Sequence, residues 1–466
     1  MQFSSAIFLM LFLPALMILY FAAGTGHRTY KNTVLLIGSI LFYAWGEPVF
    51  IFVMLGSILL NYWIALKIST ADTWKKPLLC ISLVFNLGIL IIFKYLTFIL
   101  RNLSLLIDLP IIEIALPIGI SFYTFQIMSY VFDVYYGTVP VQHSLPSLAL
   151  YITMFPQLVA GPIVRYSTIA YEIQQRNETF SDFESGINRF VVGLAKKVLL
   201  ADFLAGIADK IFNNAQFGPV PMLTAWIGAL AYTFEIYYDF SGYSDMAIGL
   251  GTCFGFHFLE NFNYPYIAKS ISEFWQRWHI SLTSFFRDYV YIPMGGNRVS
   301  PKRHIFNLFT IWLLTGIWHG AAWNFIVWGL LYFAIQLLEK YTGFARKLPA
   351  LVGHIYTLFV VMLLWVIFRA KTMTDAVNYF SYMFTPAGGL ADSQTVQFIR
   401  SSIVIFTVSC IGSIPVIPAL KKHFINTSLS QVICEIISSA ICIGLLLLCL
   451  LLIINGSYSP FIYFNF

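Results

Sequence analysis

Residues 313–323 read LLTGIWHGAAW and place a histidine, His319, inside an apolar run from about residue 305 to residue 338. The basic cluster at residues 302–304 ends 15 residues before it. At the rise of an α-helix, this spacing puts the imidazole roughly 22 Å into a hydrocarbon layer of about 30 Å. Because a polar ring is costly at that depth, His319 is a candidate functional residue. The alternative is a structural histidine that is bonded to a neighbouring carbonyl group.

The composition identifies the class of protein. Hydrophobic residues make up 59% of the 466 residues and charged residues only 10%, whereas a soluble domain carries about 25% charged residues. The repeated long apolar runs therefore predict an all-α, polytopic membrane protein. The net charge of +6 is spread over short loops between these runs. This pattern favours cytoplasmic loops and lipid head groups over nucleic acid as the partners of the positive charge.

A single membrane domain is predicted over residues 1–466, because no internal repeat, low-complexity linker or charged tail interrupts the chain. Between residues 116 and 303 the apolar runs are broken by polar residues, proline and glycine, as in FPQ at 155–157 and GPIVR at 161–165. Irregular backbone persists at membrane depth only where protein or a water-filled cavity surrounds it. The middle of the chain is therefore predicted to form the wall of a cavity, with the outer helices as scaffold.

Two polar stretches lie in this middle part. Residues 235–245 (EIYYDFSGYSD) bring Glu235 and Asp239 to one face of a helix, where two like charges need a cation or a proton. Residues 272–298 interleave aromatic rings, charges of both signs, hydroxyl groups and a second histidine, His279. One interpretation is a solvated acidic ring next to an amphipathic interfacial helix. The other is a site wall in which the acids pair with the basic stretch.

Five segments resemble the motifs of the membrane-bound O-acyltransferase family. They are YDFSGYSDMAIG at 238–249, NFNYPY at 261–266, FWQRWHISL at 274–282, FRDYVYIP at 286–293 and GIWHG at 316–320. The similarity spans nearly the whole chain and is densest in a core at about residues 115–340. Within the family, the chain is most similar to the alginate O-acetyltransferase subgroup, which the ending PFIYF at 460–464 also resembles.

The resemblance implies about eleven transmembrane helices, with re-entrant and interfacial helices around a tunnel. It also implies that acetyl moves from a cytoplasmic thioester, acetyl-CoA, towards an extracytoplasmic polysaccharide such as an alginate-like polymer or peptidoglycan. His319 matches the family's catalytic histidine, and His279 matches its second motif histidine. The resemblance further implies the bacterial inner membrane, contact with lipids and a separate extracytoplasmic acetyltransferase partner of the SGNH-hydrolase type. No metal or bound cofactor is expected.

The residue types indicate how such a transfer proceeds. A neutral imidazole takes up a proton near neutral pH, so His319 is predicted to act as the general base on an acceptor hydroxyl, or as a nucleophile that carries the acetyl group. Gly316 and Gly320 are predicted to leave room for substrate beside the ring. His279 is predicted to orient the reacting groups, with a second base as the alternative. Six further residues are predicted to bind substrate or line the tunnel: Trp318, Trp323, Asp239, Asn263, Arg277 and Arg287.

Other functions and roles remain open. A polysaccharide transporter or flippase also uses broken helices and intramembrane polar groups, although many transporters show an inverted repeat that this sequence lacks. A second alternative is another acyltransferase of the same family that moves D-alanine or a long acyl chain. Aromatic packing also accounts for Trp318 and Trp323. An ion pair between interfacial helices also accounts for Arg287.

Overall fold

The computed structural model describes residues 1–466 except 23, 25, 425–427, 457–460 and 463–466. The described residues form α-helices, short π- and 3₁₀-helical segments and loops, and none of them lies in a β-strand. The prediction of an all-α protein is therefore confirmed. Three residues of the C-terminal resemblance, Pro460, Tyr463 and Phe464, lie outside the described residues.

The α-helices are numbered in chain order. The first eleven are α1 Leu13–Ala22, α2 Arg28–Ala44, α3 Ile51–Thr70, α4 Lys75–Leu90, α5 Leu96–Leu103, α6 Ile120–Tyr136, α7 Leu145–Thr153, α8 Phe155–Leu158, α9 Tyr166–Gln174, α10 Phe180–Ala195 and α11 Asp202–Asn214. The others are α12 Met222–Cys253, α13 Ile271–Arg277, α14 Ile280–Phe286, α15 Pro301–His319, α16 Trp323–Thr342, α17 Phe344–Lys347, α18 Ala350–Arg369, α19 Met373–Phe384, α20 Ser393–Gly412, α21 Val416–Phe424 and α22 Ser428–Ile454. The π-helical segments are Phe8–Phe12, Ile91–Tyr95, Lys196–Ala201 and Arg287–Tyr291, and Pro265–Ile267 is a 3₁₀ turn.

Five helical stretches of the described chain are long and apolar enough to cross a membrane. They are Ile51–Thr70, Lys75–Leu103, Ala350–Arg369, Ser393–Gly412 and Gln431–Ile454. A helix needs about 20 mostly apolar residues to span the hydrocarbon layer, and each of these stretches has 20 or more residues. The prediction of a multi-pass membrane protein is confirmed, while the number of about eleven spans stays a prediction.

The chain divides into two compact units. One consists of residues 1–190 and 243–260, and the other of residues 191–242 and 261–466. The single domain predicted over residues 1–466 stays a prediction. Both motif histidines belong to the second unit.

Buried amides and a hydroxyl join α3 to α4 in the first unit. The Ser82 hydroxyl donates to Oδ1 of Asn61 over 2.5 Å, and the Asn86 amide donates to the same oxygen over 2.9 Å. All three side chains are buried. Such side-chain hydrogen bonds between helices hold membrane helices together where apolar surface provides little driving force.

A cluster of charges surrounds Glu178, in the loop before α10 of the first unit. Its carboxylate accepts hydrogen bonds from Arg28 over 2.6 Å, from the Tyr20 hydroxyl over 2.5 Å and from Lys31 over 3.1 Å. Burial alone raises the pKa of Glu178, but these hydrogen bonds outweigh burial and lower it to about 2. The folded protein therefore keeps this carboxylate ionised at acid pH values at which an unfolded carboxyl is protonated.

We expect Glu178 to make the folded protein acid-sensitive. Because its pKa is lower in the folded state than the usual value near 4.5, its contribution to stability is complete above that value and declines as the pH falls from there towards 2. Glu178→Gln should lower the thermal unfolding midpoint of the detergent-solubilised protein at pH 7 and reduce its decrease between pH 7 and 3. Glu113→Gln is the control, since the Glu113 side chain is 75% exposed in its pair with Arg101. Equal pH profiles for wild type and Glu178→Gln would contradict this role.

Helices α15 and α16 of the second unit form a closely packed pair. Glycine makes the approach possible, since a Cβ atom at Gly316 would lie 2.5 Å from the Phe325 carbonyl oxygen, and one at Gly329 would lie 2.4 Å from the Trp312 carbonyl oxygen. Small residues at a helix contact let two backbones approach closely in a membrane protein. The pair holds His319, at the end of α15, against the side chains of α16.

Candidate active site

His319 is the last residue of α15 and is 3% exposed. Aromatic rings surround its imidazole: the ring centroid of Trp328 lies 4.9 Å away and that of Phe368 lies 5.1 Å away, both nearly perpendicular to it. Trp328 comes from α16 and Phe368 from α18. A ring buried among aromatic side chains is poorly solvated, which favours the neutral imidazole that a general base requires.

The interpretation of the two glycines beside His319 is wrong. Gly316 and Gly320 were predicted to leave room for substrate, but a Cβ atom at Gly320 would lie 2.2 Å from the Phe325 ring and one at Gly316 would meet the Phe325 carbonyl oxygen. Phe325 therefore fills the space that these glycines leave. Their role is close packing between α15 and α16, which fixes the position of His319.

His279 is completely buried, and its backbone is in the left-handed region with φ 46° and ψ 53°. That conformation is strained for a residue with a side chain and persists only where the surrounding contacts hold it. His279 Nδ1 lies 3.2 Å from Oδ1 of Asn261, and this oxygen also accepts hydrogen bonds from the backbone N–H and the hydroxyl of Ser281. The oxygen can only accept, so Nδ1 of a neutral His279 carries the proton and Nε2 carries a lone pair. Among the described residues, Nε2 has no hydrogen-bond partner.

Trp318 lies close to both imidazoles. Its ring centroid is 5.7 Å from that of His279 and 5.0 Å from that of His319. Phe240 also contacts His279, with the ring centroids 4.6 Å apart. The structure thus brings together the two histidines and Trp318, which were predicted as site residues from motifs that lie apart in the sequence.

Asp239 lies in a buried ion pair. Lys197 Nζ contacts Oδ1 of Asp239 at 2.6 Å and Oδ1 of Asp202 at 2.9 Å, and the Ile462 backbone N–H donates to Oδ2 of Asp239 over 2.9 Å. Asp239 is 2% exposed and Lys197 is 1% exposed. Asp239 is therefore joined to the π-helical segment before α11 and to the C-terminal part of the chain. The adjacent residue, Phe240, is the one that touches His279.

The other four predicted residues lie nearer the surface. Arg277 donates to Glu273 over 2.9 Å and to the Asn263 carbonyl oxygen over 3.1 Å, and Asn263 is exposed. Arg287 is exposed and forms an ion pair with its neighbour Asp288 at 2.6 Å. Trp323 is 56% exposed at the start of α16.

A polar cavity of about 750 Å³ lies in the second unit. Arg369, the last residue of α18, lines it together with Glu235 and Asp209. Arg369 forms an ion pair with Asp209, lies 3.9 Å from Oε2 of Glu235, and covers the rings of Phe212 and Tyr232. Phe368 touches His319, so consecutive residues of α18 contact the histidine and line the cavity.

The pairing of the acids corrects both interpretations of residues 235–245. Glu235 and Asp239 are buried, so they do not form a solvated ring. Their cations are Arg369 and Lys197 rather than the basic stretch at residues 272–298. Sequence reasoning missed both cations, although each interrupts or ends an apolar run, where a charge is expensive unless it has a partner.

The chain is similar to a known protein family over most of its length. The family model described as "MBOAT, membrane-bound O-acyltransferase family" matches residues 8–385. The chain belongs to this family. The acyltransferase therefore has the enzyme class that its motifs indicated, and the two buried histidines lie within the matched region.

Three relatives show the range of similarity. The probable alginate O-acetylase AlgI of Pseudomonas aeruginosa is 42% identical, with 83% of this chain and 75% of the relative covered. The peptidoglycan O-acetyltransferase of Helicobacter pylori is 32% identical, with 100% and 97% covered. The teichoic acid D-alanyltransferase of Bacillus subtilis is 30% identical over 50% of this chain and 62% of its own length. Two of the three names describe O-acetylation, of alginate and of peptidoglycan, and the third describes D-alanyl transfer with teichoic acid.

Proposed function

We propose that this acyltransferase moves acetyl from acetyl-CoA at the cytoplasmic side to the O-acetylation of an extracytoplasmic polysaccharide. The observation that carries the proposal is the buried pair of motif histidines, His319 and His279, in a chain similar over most of its length to O-acetyl-transferring relatives. The polymer is an alginate-like exopolysaccharide or peptidoglycan, after the names of those relatives. The location is the bacterial inner membrane.

In the proposed reaction, His319 acts on the acceptor hydroxyl. Its neutral imidazole takes the hydroxyl proton while the oxygen attacks the thioester carbonyl carbon. The carbon–sulfur bond then breaks, and the thiolate leaves with the proton from His319, so that ester and thiol are the products. His279 presents the Nε2 lone pair as a hydrogen-bond acceptor and orients the groups around Trp318. A covalent acetyl-histidine intermediate at His319 is the variant of this mechanism.

The directions of the helices support access from opposite sides. Helix α15 begins beside Lys302 and Arg303, and α18 begins after Arg346 and Lys347. The positive-inside rule assigns these ends to the cytoplasm. His319 and Arg369 lie at the other ends of the same two helices. The donor would approach from the basic ends, and the acceptor would enter through the polar cavity at Arg369.

The proposal includes a partner protein and has two alternatives. We propose that a separate extracytoplasmic acetyltransferase of the SGNH-hydrolase type completes the esterification of the polymer. Because the D-alanyltransferase relative covers only half of this chain, D-alanine is the second candidate acyl group. A transporter would move the polymer without forming an ester bond.

The test is a comparison of cells that contain or lack this protein, in a strain that makes the polymer. We expect ester-linked acetate on the secreted or envelope polysaccharide only when the protein is present, with unchanged polymer yield. In membrane vesicles, [¹⁴C]acetyl-CoA should supply the label. If ester-linked D-alanine is found instead of acetate, the transferred group is D-alanyl and not acetyl. A loss of polymer export without a change in ester-linked acetate would favour a transporter.

A further inference from the structure

A group of hydrogen-bond donors on α16 and α13 has not been used by the proposed mechanism. The indole N–H groups of Trp328 and Trp275 and the hydroxyl of Tyr332 have no hydrogen-bond partner among the described residues. Trp328 and Tyr332 are completely buried and Trp275 is 5% exposed. Buried donors are nearly always paired, so an unpaired set is a specific feature that needs an explanation.

These donors form a continuous row that ends at His319. The ring centroids of Trp275 and Tyr332 are 5.1 Å apart, those of Tyr332 and Trp328 are 5.0 Å apart, and Trp328 lies 4.9 Å from His319. Trp328 and Tyr332 are four residues apart on α16, which puts them on the same face of the helix. Helix α16 therefore positions both side chains. The same helix packs closely on α15 through glycine and so also positions His319.

Another indole N–H in the same aromatic cluster has a hydrogen-bond partner from the protein. Trp312 stacks on Tyr332 and its N–H donates to the Gln336 side chain over 3.0 Å. A cavity of about 150 Å³ is lined by Trp275, Trp312 and Thr315, and Thr315 lies one helical turn before His319. One end of the row of unpaired donors, Trp275, therefore lines this cavity, and the other end, Trp328, contacts the imidazole.

We propose that the indole N–H of Trp328 donates a hydrogen bond to the acyl carbonyl oxygen during transfer, and that Tyr332 and Trp275 continue the row as donors to carbonyl oxygens of the acyl carrier. The ligand class is an acyl thioester on an arm that contains carbonyl groups. When the acceptor oxygen attacks the carbonyl carbon and His319 takes its proton, the electron pair moves onto the carbonyl oxygen. A fixed N–H in a site that excludes water stabilises that charge without reorganisation. This inference rests on the proposed function, since it assigns a further catalytic residue to the same transfer.

The first experiment compares Trp328→Phe with Trp312→Phe in the full-length protein in lipid vesicles. Each variant keeps an aromatic ring in the same cluster, but only Trp328→Phe removes the unpaired donor. We expect Trp328→Phe to lower the turnover of acetyl transfer from acetyl-CoA by about 10²- to 10³-fold, as for other single donors to a developing oxyanion. Trp312→Phe should stay within a few-fold of wild type at matched protein levels. Equal losses in the two variants would overturn the inference and reduce Trp328 to a packing residue.

The second experiment observes the hydrogen bond directly. Infrared difference spectra of bound acetyl-CoA with a ¹³C-labelled carbonyl are recorded in the His319→Ala variant. This variant is expected not to transfer the acetyl group, so the acetyl-CoA is not consumed during the measurement. The carbonyl stretch should lie at lower frequency with Trp328 present than in His319→Ala/Trp328→Phe, and Trp312→Phe should not change it. An unchanged frequency overturns the inference while the proposed function stands. The absence of any bound acetyl band in all forms overturns acetyl-CoA as the donor, and with it the proposed function.

Discussion

Replacing His319 with alanine is expected to abolish acetyl transfer while the protein still accumulates in the membrane. The imidazole is enclosed by Trp328 and Phe368 and lies one residue after Trp318, so no solvent base can take its place. General-base catalysis contributes about 10²- to 10⁴-fold to a rate, and a nucleophilic role would make the loss complete. Ester-linked acetate on the polysaccharide, normalised to polymer yield, is the measurement.

The control for this prediction is His143→Ala, because His143 is exposed in the loop before α7. It removes an imidazole from the protein without touching the aromatic enclosure of His319. Wild-type levels of acetate in His143→Ala and none in His319→Ala assign the reaction to His319. If His319→Ala forms the ester at the wild-type rate, then His319 is a structural residue and the base must be sought elsewhere.

The sequence predicted the fold class and the central residues of the site for physical reasons. Charged residues are so scarce in the apolar runs that the sequence predicts a helical membrane protein. The all-α architecture of the described residues confirms this fold class. A histidine deep in such a run needs a reason to be there, which made His319 a candidate before any contact was known. Both motif histidines lie beside Trp318 in the structure.

What the sequence did not predict depends on contacts between distant segments. Lys197 and Arg369 lie 42 and 134 residues from the acids they pair with, Asp239 and Glu235, and sequence spacing alone cannot join them. Gly316 and Gly320 were predicted to leave room for substrate beside His319. Phe325 occupies that room in the structure, and the positions of the two glycines in the sequence do not reveal this contact. The row of hydrogen-bond donors at Trp328 could not be predicted either, since the sequence does not tell whether the N–H of an indole has a hydrogen-bond partner.

Replacing Lys197 with methionine is expected to cause the largest loss of stability among single changes outside the histidine site. Lys197 Nζ is held between Asp202 and Asp239, and all three side chains are largely buried. Removing the cation leaves two like charges in a poorly solvated place, and breaking a buried pair in this way costs about 3–5 kcal/mol. The thermal unfolding midpoint of the detergent-solubilised protein measures the effect. Lys210→Met is the control, because Lys210 is exposed on α11.

The double variant Lys197→Met/Asp239→Asn separates two roles of Asp239. Asparagine removes the uncompensated charge but keeps an oxygen that can accept the Ile462 backbone N–H, which Asp239 Oδ2 accepts over 2.9 Å. We expect the double variant to unfold at a higher temperature than Lys197→Met, because only one buried carboxylate remains. If Asp239 binds substrate, as the sequence predicted, acetyl transfer stays lost although stability returns. If its role is only to balance the charge of Lys197, activity returns with stability. A single variant Lys197→Met as stable as wild type would contradict the buried ion pair itself.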